Sequence, residues 1–272
     1  MSSAKTGTDE PIIAPPRVAT CQTGYPVRFA HSLWQTREAK IPFAPTLPGG
    51  ARRPVHTPAL LNTNLSVLSI APTLSSPATR RARLAVDANG FANIARQVPS
   101  PNQDARPAGT AISLIVVHGI SLPPGDFTGD HVERLFTNRL DPNVHPYFAT
   151  IAALRVSAHF LIRRDGELLQ FVSCGSRAWH AGPSSWHGRS GCNDFSIGIE
   201  LEGADDVPYA SAQYPVLGRL IHALRVRYAI EEIVGHSDIA PGRKTDPGPA
   251  FDWPRLRRLV ERRGHARRHD VT

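Results

Sequence analysis

The chain has 272 residues, of which 41% are hydrophobic and 25 are prolines, and a formal charge of +8. This length allows one α/β domain with additional material, or two small domains. Three cysteines (Cys21, Cys174 and Cys192) are too few and too scattered for a disulfide framework or a cysteine-based zinc module, and their odd number favours a reducing compartment. No apolar run approaches the roughly 18 residues that a membrane helix needs.

The excess positive charge is concentrated near the N-terminus. Residues 1–83 carry 10 of the 31 Lys and Arg residues but 3 of the 23 Asp and Glu residues, a net charge of +7, which leaves +1 for residues 84–272. A smaller basic cluster lies in the tail 262–272. We predict that both segments are solvated and expect neither nucleic acid nor a membrane as a partner. A nucleic-acid adaptor that uses the N-terminal segment is the competing interpretation.

Residues 1–83 also contain 11 of the prolines and show no sustained periodicity. Such a segment buries too little apolar surface to offset its chain entropy, so we predict that it is disordered. Met1 is the only methionine in the sequence. An alternative hypothesis is therefore that this extension is an over-long gene call and that the true start is near Leu84 or Val86.

From Leu84 onward, apolar runs of regular length predict one α/β domain that covers residues 84–261. An Asp-Gly turn at Asp165-Gly166 is a strong signal for a β-hairpin. The predicted elements are, in chain order, a strand at 112–118, helices at 129–140 and 146–154, a hairpin of 159–162 with 167–172, a strand and loop at 177–182, a strand at 195–202, a helix at 211–228, a strand at 233–236 and a helix after Asp252.

The strand at 195–202 has the cleanest alternation in the chain. Its apolar residues share one face, while Ser196, Gly198, Glu200 and Glu202 share the other. The small residues predict open volume beside an acid, where a carboxylate could contact a ligand. Alternation alone does not choose between Glu200 and Glu202, and a solvent-facing glutamate is the plainer alternative.

Two further strands are followed by candidate metal ligands. His118 closes the predicted strand at 112–118, His236 closes the strand at 233–236, and Asp246 lies on the Pro- and Gly-rich loop that comes next. Two imidazoles and one carboxylate leave a fourth zinc position open for water, which is typical of a catalytic site. In this arrangement Glu200 would be the general base, and Lys244 would stabilise the oxyanion. Spacing alone does not select these residues from 12 histidines.

Several long motifs occur in a fixed order along the domain. They are Val116–Gly125, Leu135–Phe148, Leu154–His159, Ala178–Gly182, Cys192–Gly203 and Gly235–Trp253. In these motifs the chain, from about Leu84 to Val260, resembles the zinc-dependent N-acetylmuramoyl-L-alanine amidases, most closely the AmpD type, which acts on 1,6-anhydro-muropeptides in cytoplasmic peptidoglycan recycling. The resemblance does not reach residues 1–83.

The resemblance implies a mixed central β-sheet flanked by helices and a zinc cofactor. It implies that His118, His236 and Asp246 bind the metal, that Glu200 is the catalytic glutamate and that Lys244 is the lysine of the transition state. It also places Tyr147, Arg155 and Trp179 in the substrate groove. An arginine suits a peptide carboxylate because its guanidinium binds both oxygens.

Two positions depart from the family pattern. Gly119 follows the first ligand, where asparagine is common, and Gly191 precedes Cys192, where relatives often carry arginine. Neither change affects the metal or acid–base groups, but both bear on substrate preference. A periplasmic amidase that acts on intact peptidoglycan and a non-catalytic peptidoglycan-binding module are the alternative functions. The sequence indicates no oligomeric state.

Overall fold

The computed structural model describes residues 83–265, together with the two-residue strand Arg28–Phe29. Side chains are described for residues 83–261. We predicted that residues 1–83 are disordered or, alternatively, that they precede the true start of the protein. These residues lie almost entirely outside the described part. The side chains of the predicted basic tail 262–272 also lie outside it.

A seven-stranded sheet forms the centre of the fold. In spatial order its strands are β1 (Arg28–Phe29), β11 (Glu232–Gly235), β4 (Leu114–Ile120), β10 (Ser196–Glu202), β5 (Phe160–Ile162), β6 (Leu168–Gln170) and β2 (Arg96–Gln97). Strands β5 and β6 form the predicted antiparallel hairpin, whereas every other neighbouring pair is parallel. The prediction of a mixed sheet is therefore confirmed.

Two short antiparallel pairs lie beside this sheet. Strand β3 (Gln103–Ala105) pairs with β7 (Ser176–Ala178), and β8 (Ser185–Trp186) pairs with β9 (Arg189–Ser190). A short 3₁₀ turn at Cys192–Asp194 leads directly into β10. The predicted strand and loop at 177–182 thus begin in β7 and continue as the loop that carries Trp179 and His180.

Five α-helices are present in the described part of the chain. They are α1 (His131–Phe136), α2 (Pro146–Ile151), α3 (Gln213–Arg227), α4 (His236–Ile239) and α5 (Trp253–His265). Helix α1 is shorter than the predicted 129–140, because Gly129 and Asn138 have positive φ angles of 71° and 58° that a right-handed helix does not accommodate. Within this part of the chain, none of the helices has the length and apolar character needed to span a bilayer.

The two faces of the sheet are covered by different elements. Helices α3 and α5 pack on one face, over the apolar side chains of β4 and β10 such as Ile115 and Ile199. The other face carries Leu114 and Val116 of β4, which pack under Phe195 and neighbouring residues. Because side chains alternate along a strand, the residues of β10 that point away from α3 lie on this second face.

The polar face of β10 differs from the prediction. All seven residues of β10 are buried, including Ser196 and Gly198. The open volume predicted beside the small residues is filled near Gly198, because a Cβ atom added there would lie 2.6 Å from Nδ1 of His180. The sequence pattern indicated that small residues leave space on this face of β10. It did not indicate that the ring of His180, from a different segment, fills that space.

Candidate metal centre

Three side chains from distant parts of the chain meet at one edge of the sheet. His118 lies on β4, His236 follows β11 and Asp246 lies on the loop after α4. Because β4 and β11 are parallel neighbours, their carboxyl ends open at the same edge of the sheet. The sequence predicted that each histidine closes its strand, and the structure differs on both. Strand β4 continues past His118 to Ile120, and His236 is the first residue of α4.

The three candidate ligand atoms form a small triangle. Nδ1 of His118 lies 3.0 Å from Nδ1 of His236 and 3.2 Å from Oδ2 of Asp246. Nδ1 of His236 lies 3.1 Å from Oδ2 of Asp246. Tetrahedral ligands at zinc bond lengths are about 3.3 Å apart, so these residues fit such an ion. They could therefore hold a metal ion.

The electrostatics of the two histidines suit metal binding. Burial lowers the pKa of His118 to about 4, so its ring is neutral near pH 7, as a metal ligand must be. His236 is also buried, and its Nε2 lies 3.1 Å from the carbonyl oxygen of Ala181. This carbonyl can only accept, so Nε2 of His236 is the atom placed to donate to it, and Nδ1 is the atom that faces the other two candidate ligands.

Glu200 lies next to this triangle. It is the direct register partner of His118 in the parallel pair β10 and β4. The residue is 8% exposed, and among the described residues its Oε2 has no hydrogen-bond partner. Burial raises the pKa of Glu200 well above its usual value, the charge of Asp246 raises it further, and Lys244 opposes both effects. A buried carboxyl group with a raised pKa and an unpaired oxygen is suited to accept and return a proton during a reaction.

Glu202 lies on the same face of β10 but has different surroundings. Its carboxylate accepts hydrogen bonds from the backbone N–H of Arg164 at 3.0 Å and from Nη1 of Arg163 at 3.1 Å. These contacts satisfy Glu202 and anchor the hairpin to β10. The two acids that the alternation leaves equivalent are thus distinguished by their partners, and only Glu200 is without one.

Lys244 is on the exposed loop between α4 and Asp246. Its backbone N–H donates to the carbonyl oxygen of Ala240 at 3.1 Å. The charge of its ammonium group lowers the pKa values of both Glu200 and His118, so the group lies within electrostatic range of the metal centre. The residue is exposed.

The three predicted groove residues lie on α2, just after α2 and on the loop after β7. Tyr147 is exposed in the first turn of α2, and Arg155 is exposed after α2, where its Nη1 lies 3.2 Å from the carbonyl oxygen of Ala153. Trp179 is half-buried, and its Nε1 donates to Asp104 at 3.2 Å.

Two contributors to the centre were missed by the sequence analysis. Nδ1 of His180, which the sequence analysis did not single out, lies 3.0 Å from Nε2 of His118. The hydroxyl of Tyr209 donates to the carbonyl oxygen of Pro247 at 2.9 Å, directly after Asp246. A Cβ atom at Gly119 would overlap this hydroxyl, so asparagine at position 119 would require the tyrosine ring to move. The only sequence signal for His180 was its place in the motif Ala178–Gly182.

Comparisons with known proteins agree with this centre. The N-acetylmuramoyl-L-alanine amidase family model matches residues 108–249. The 1,6-anhydro-N-acetylmuramyl-L-alanine amidase AmpD of Citrobacter freundii is 58% identical over 178 residues, which cover 65% of this chain and 95% of the relative. AmpD of Escherichia coli K12 is 58% identical over 170 residues, which cover 62% and 93% of the two chains.

A solved structure also has this fold. A crystal structure of a selenomethionine derivative of AmpD matches with a TM-score of 0.63 and 59% identity, over 64% of this chain and 98% of that chain. The matched family region contains all three candidate ligands and Glu200. The chain therefore belongs to the N-acetylmuramoyl-L-alanine amidase family and, within it, to the AmpD type.

Proposed function

We propose that this enzyme uses zinc to hydrolyse the amide bond between the lactyl group of 1,6-anhydro-N-acetylmuramic acid and L-Ala of a peptidoglycan stem peptide. The observation that carries the proposal is a buried, unpaired glutamate beside a triangle of two imidazoles and one carboxylate. An N,N,O ligand set of this kind is typical of hydrolytic zinc sites. The names of the AmpD relatives support the substrate class.

Bound zinc supplies Lewis acidity, which polarises the scissile carbonyl group and makes water nucleophilic near neutral pH. Glu200 takes a proton from the attacking water as the water oxygen bonds to the carbonyl carbon. The carboxyl group then returns that proton to the leaving nitrogen as the C–N bond breaks. The products are the lactyl carboxylate and the free amine of L-Ala. The raised pKa of Glu200 suits both transfers.

Lys244 provides a positive charge near the reacting carbonyl group. Its ammonium group would donate to the oxygen that becomes negative in the tetrahedral transition state. Because this side chain is exposed, we expect it to contact the oxygen only when substrate is bound. Lys244 would therefore contribute to turnover more than to metal affinity.

Tyr147, Arg155 and Trp179 are proposed to bind the rest of the substrate. Arg155 is exposed and could bind a stem-peptide carboxylate through both guanidinium nitrogens. Trp179 and Tyr147 offer flat surfaces for the sugar and the peptide. Recycling of free muropeptides would place the enzyme in the cytoplasm, and the free thiols of Cys174 and Cys192 are compatible with a reducing compartment.

One assay tests the proposal and both alternatives. The protein is incubated with a defined anhydro-muropeptide before and after treatment with a chelator, and then after addition of zinc. We expect release of the free peptide, its loss on chelation and its recovery with zinc. Faster cleavage of polymeric peptidoglycan than of the free muropeptide would favour the periplasmic amidase. Binding of muropeptide without cleavage by a zinc-loaded protein would favour the binding module.

A further inference from the structure

The imidazole of His118 uses both of its nitrogen atoms. Nδ1 is the atom that faces His236 and Asp246, at 3.0 Å and 3.2 Å. Nε2, on the opposite side of the ring, lies 3.0 Å from Nδ1 of His180. The two rings meet edge-on, with centroids 5.0 Å apart. His180 therefore lies behind the ligand, on the side away from the ion site.

The partners determine where each hydrogen lies. A ligand that binds through Nδ1 carries its hydrogen on Nε2, so His118 donates to Nδ1 of His180. His180 then carries its own hydrogen on Nε2, which lies 3.2 Å from Oγ of Ser196. The Ser196 hydroxyl in turn donates to the carbonyl oxygen of Cys192. The donor and acceptor roles are therefore linked along the whole series. If His180 carried its hydrogen on Nδ1 instead, that hydrogen would face the Nε2 hydrogen of His118.

His180 is itself held from several sides. Its backbone N–H and that of Ala181 donate to Oδ1 of Asn193, at 3.1 Å and 2.8 Å. Its ring packs against Gly198, where no side chain intervenes, and it contacts the ring of His159 at a centroid distance of 5.7 Å. The residue is 9% exposed. Because both ring nitrogens of His180 have protein partners, the residue is not a further ligand.

We propose that His180 is a positioning residue for the metal ligand His118: by accepting the Nε2 hydrogen of His118, it selects the tautomer and ring orientation in which Nδ1 can bind the ion. This inference rests on the proposed metal site. Removing the acceptor would leave the Nε2 hydrogen of His118 buried without a partner, and the ring could satisfy it only by leaving the binding orientation. Outer partners of metal-bound histidines typically change metal affinity by about 10- to 100-fold.

Two substitutions separate the hydrogen bond from the packing. His180→Phe keeps an aromatic ring but removes the acceptor. His180→Asn removes the ring but can place Oδ1 near the position of the histidine Nδ1. We expect zinc affinity, measured by competition with a chromophoric chelator, to fall by about 10- to 100-fold in His180→Phe and to remain within about threefold of wild type in His180→Asn. His187→Phe, which changes an exposed imidazole, is the matched control and should bind zinc as wild type does.

A second measurement needs no variant and so does not depend on whether His180→Phe folds. Nitrogen-15 NMR of the zinc-loaded wild-type protein should show His180 as the Nε2–H tautomer, with Nδ1 as an acceptor. The Nδ1–H tautomer would overturn the inference. Equal zinc affinity of folded His180→Phe and wild type would also overturn it, while leaving the proposed function intact. A wild-type protein that binds no zinc would overturn both.

Discussion

Glu200 and His118 are direct neighbours across the parallel strands β10 and β4. The register places a carboxyl group one strand away from the imidazole of a proposed metal ligand, on the same face of the sheet. Neighbouring strands are about 4.8 Å apart, which is close enough for a proton acceptor to reach a water molecule next to the metal site. The sheet, rather than a flexible loop, therefore sets the distance between the proposed base and the ion.

The first prediction concerns Glu200→Gln. The amide keeps the shape of the side chain but cannot take a proton, so we expect turnover to fall by about 100- to 10,000-fold with zinc retained. Glu202→Gln is a matched control on the same face, because Glu202 pairs with Arg163 and Arg164. It should reduce stability while leaving turnover per folded molecule within a few-fold. Near-normal turnover in Glu200→Gln would remove this residue from the mechanism.

The second prediction concerns Asp246→Asn. The substitution keeps the volume of the side chain but replaces the charged oxygen ligand with a neutral amide. Loss of a hydrogen-bond partner of a metal-bound histidine lowers metal affinity by roughly 10- to 100-fold, and we expect a larger loss of zinc affinity here because a ligand itself is changed. Metal content after dialysis, measured by mass spectrometry, checks this. A variant that retains one zinc ion per chain would exclude Asp246 as a ligand.

The third prediction concerns Gly198→Ala. The added methyl group would lie 2.6 Å from Nδ1 of His180, inside a buried contact. We expect unfolding in urea to show a loss of about 1–3 kcal/mol, as in other overpacked cores, and zinc affinity to decrease as the ring shifts. Gly175→Ala is the control, because its nearest neighbour would be Oγ of Ser173 at 3.5 Å. Equal stabilities of the two variants would contradict the packing of His180 on β10.

The fourth prediction concerns pH and His159. Burial, together with the charge of Arg106, lowers the pKa of His159 from 6.5 to about 3. Its Nδ1 accepts from the backbone N–H of Gly198 at 3.0 Å, so a proton there would displace this hydrogen bond. As pH falls below about 6.5, His159 becomes protonated in the unfolded chain but stays neutral in the folded protein. The contribution of neutral His159 to the free energy of unfolding is therefore fully present above pH 6.5 and is lost progressively as the pH falls toward 3.

Urea unfolding of the metal-free protein between pH 7.5 and pH 4.5 measures this loss. Metal-free protein is used so that release of zinc at low pH does not add to the slope. His159→Asn, which can still accept from Gly198 but does not titrate, should show a shallower dependence on pH. Identical slopes for the two proteins would contradict the assignment.

Much of the fold could be predicted from local pattern. The apolar run before His118, the Asp-Gly hairpin and the alternation of β10 each encode a strand through neighbouring residues, and the structure contains all three. The residue motifs also indicated the amidase family, which the comparisons show. Element ends were less predictable, because Gly129 and Asn138 end α1 through backbone angles that pattern does not encode.

Only the tertiary structure decided which polar groups share an environment. Alternation placed Glu200 and Glu202 on one face, but their different partners come from the hairpin and from the loops at the sheet edge. The sequence did not single out His180, because its significance depends on the ring of His118, which is 62 positions away in sequence. Local residues determine strand and face, whereas the identity of a neighbour across the sheet depends on chain topology and long-range packing.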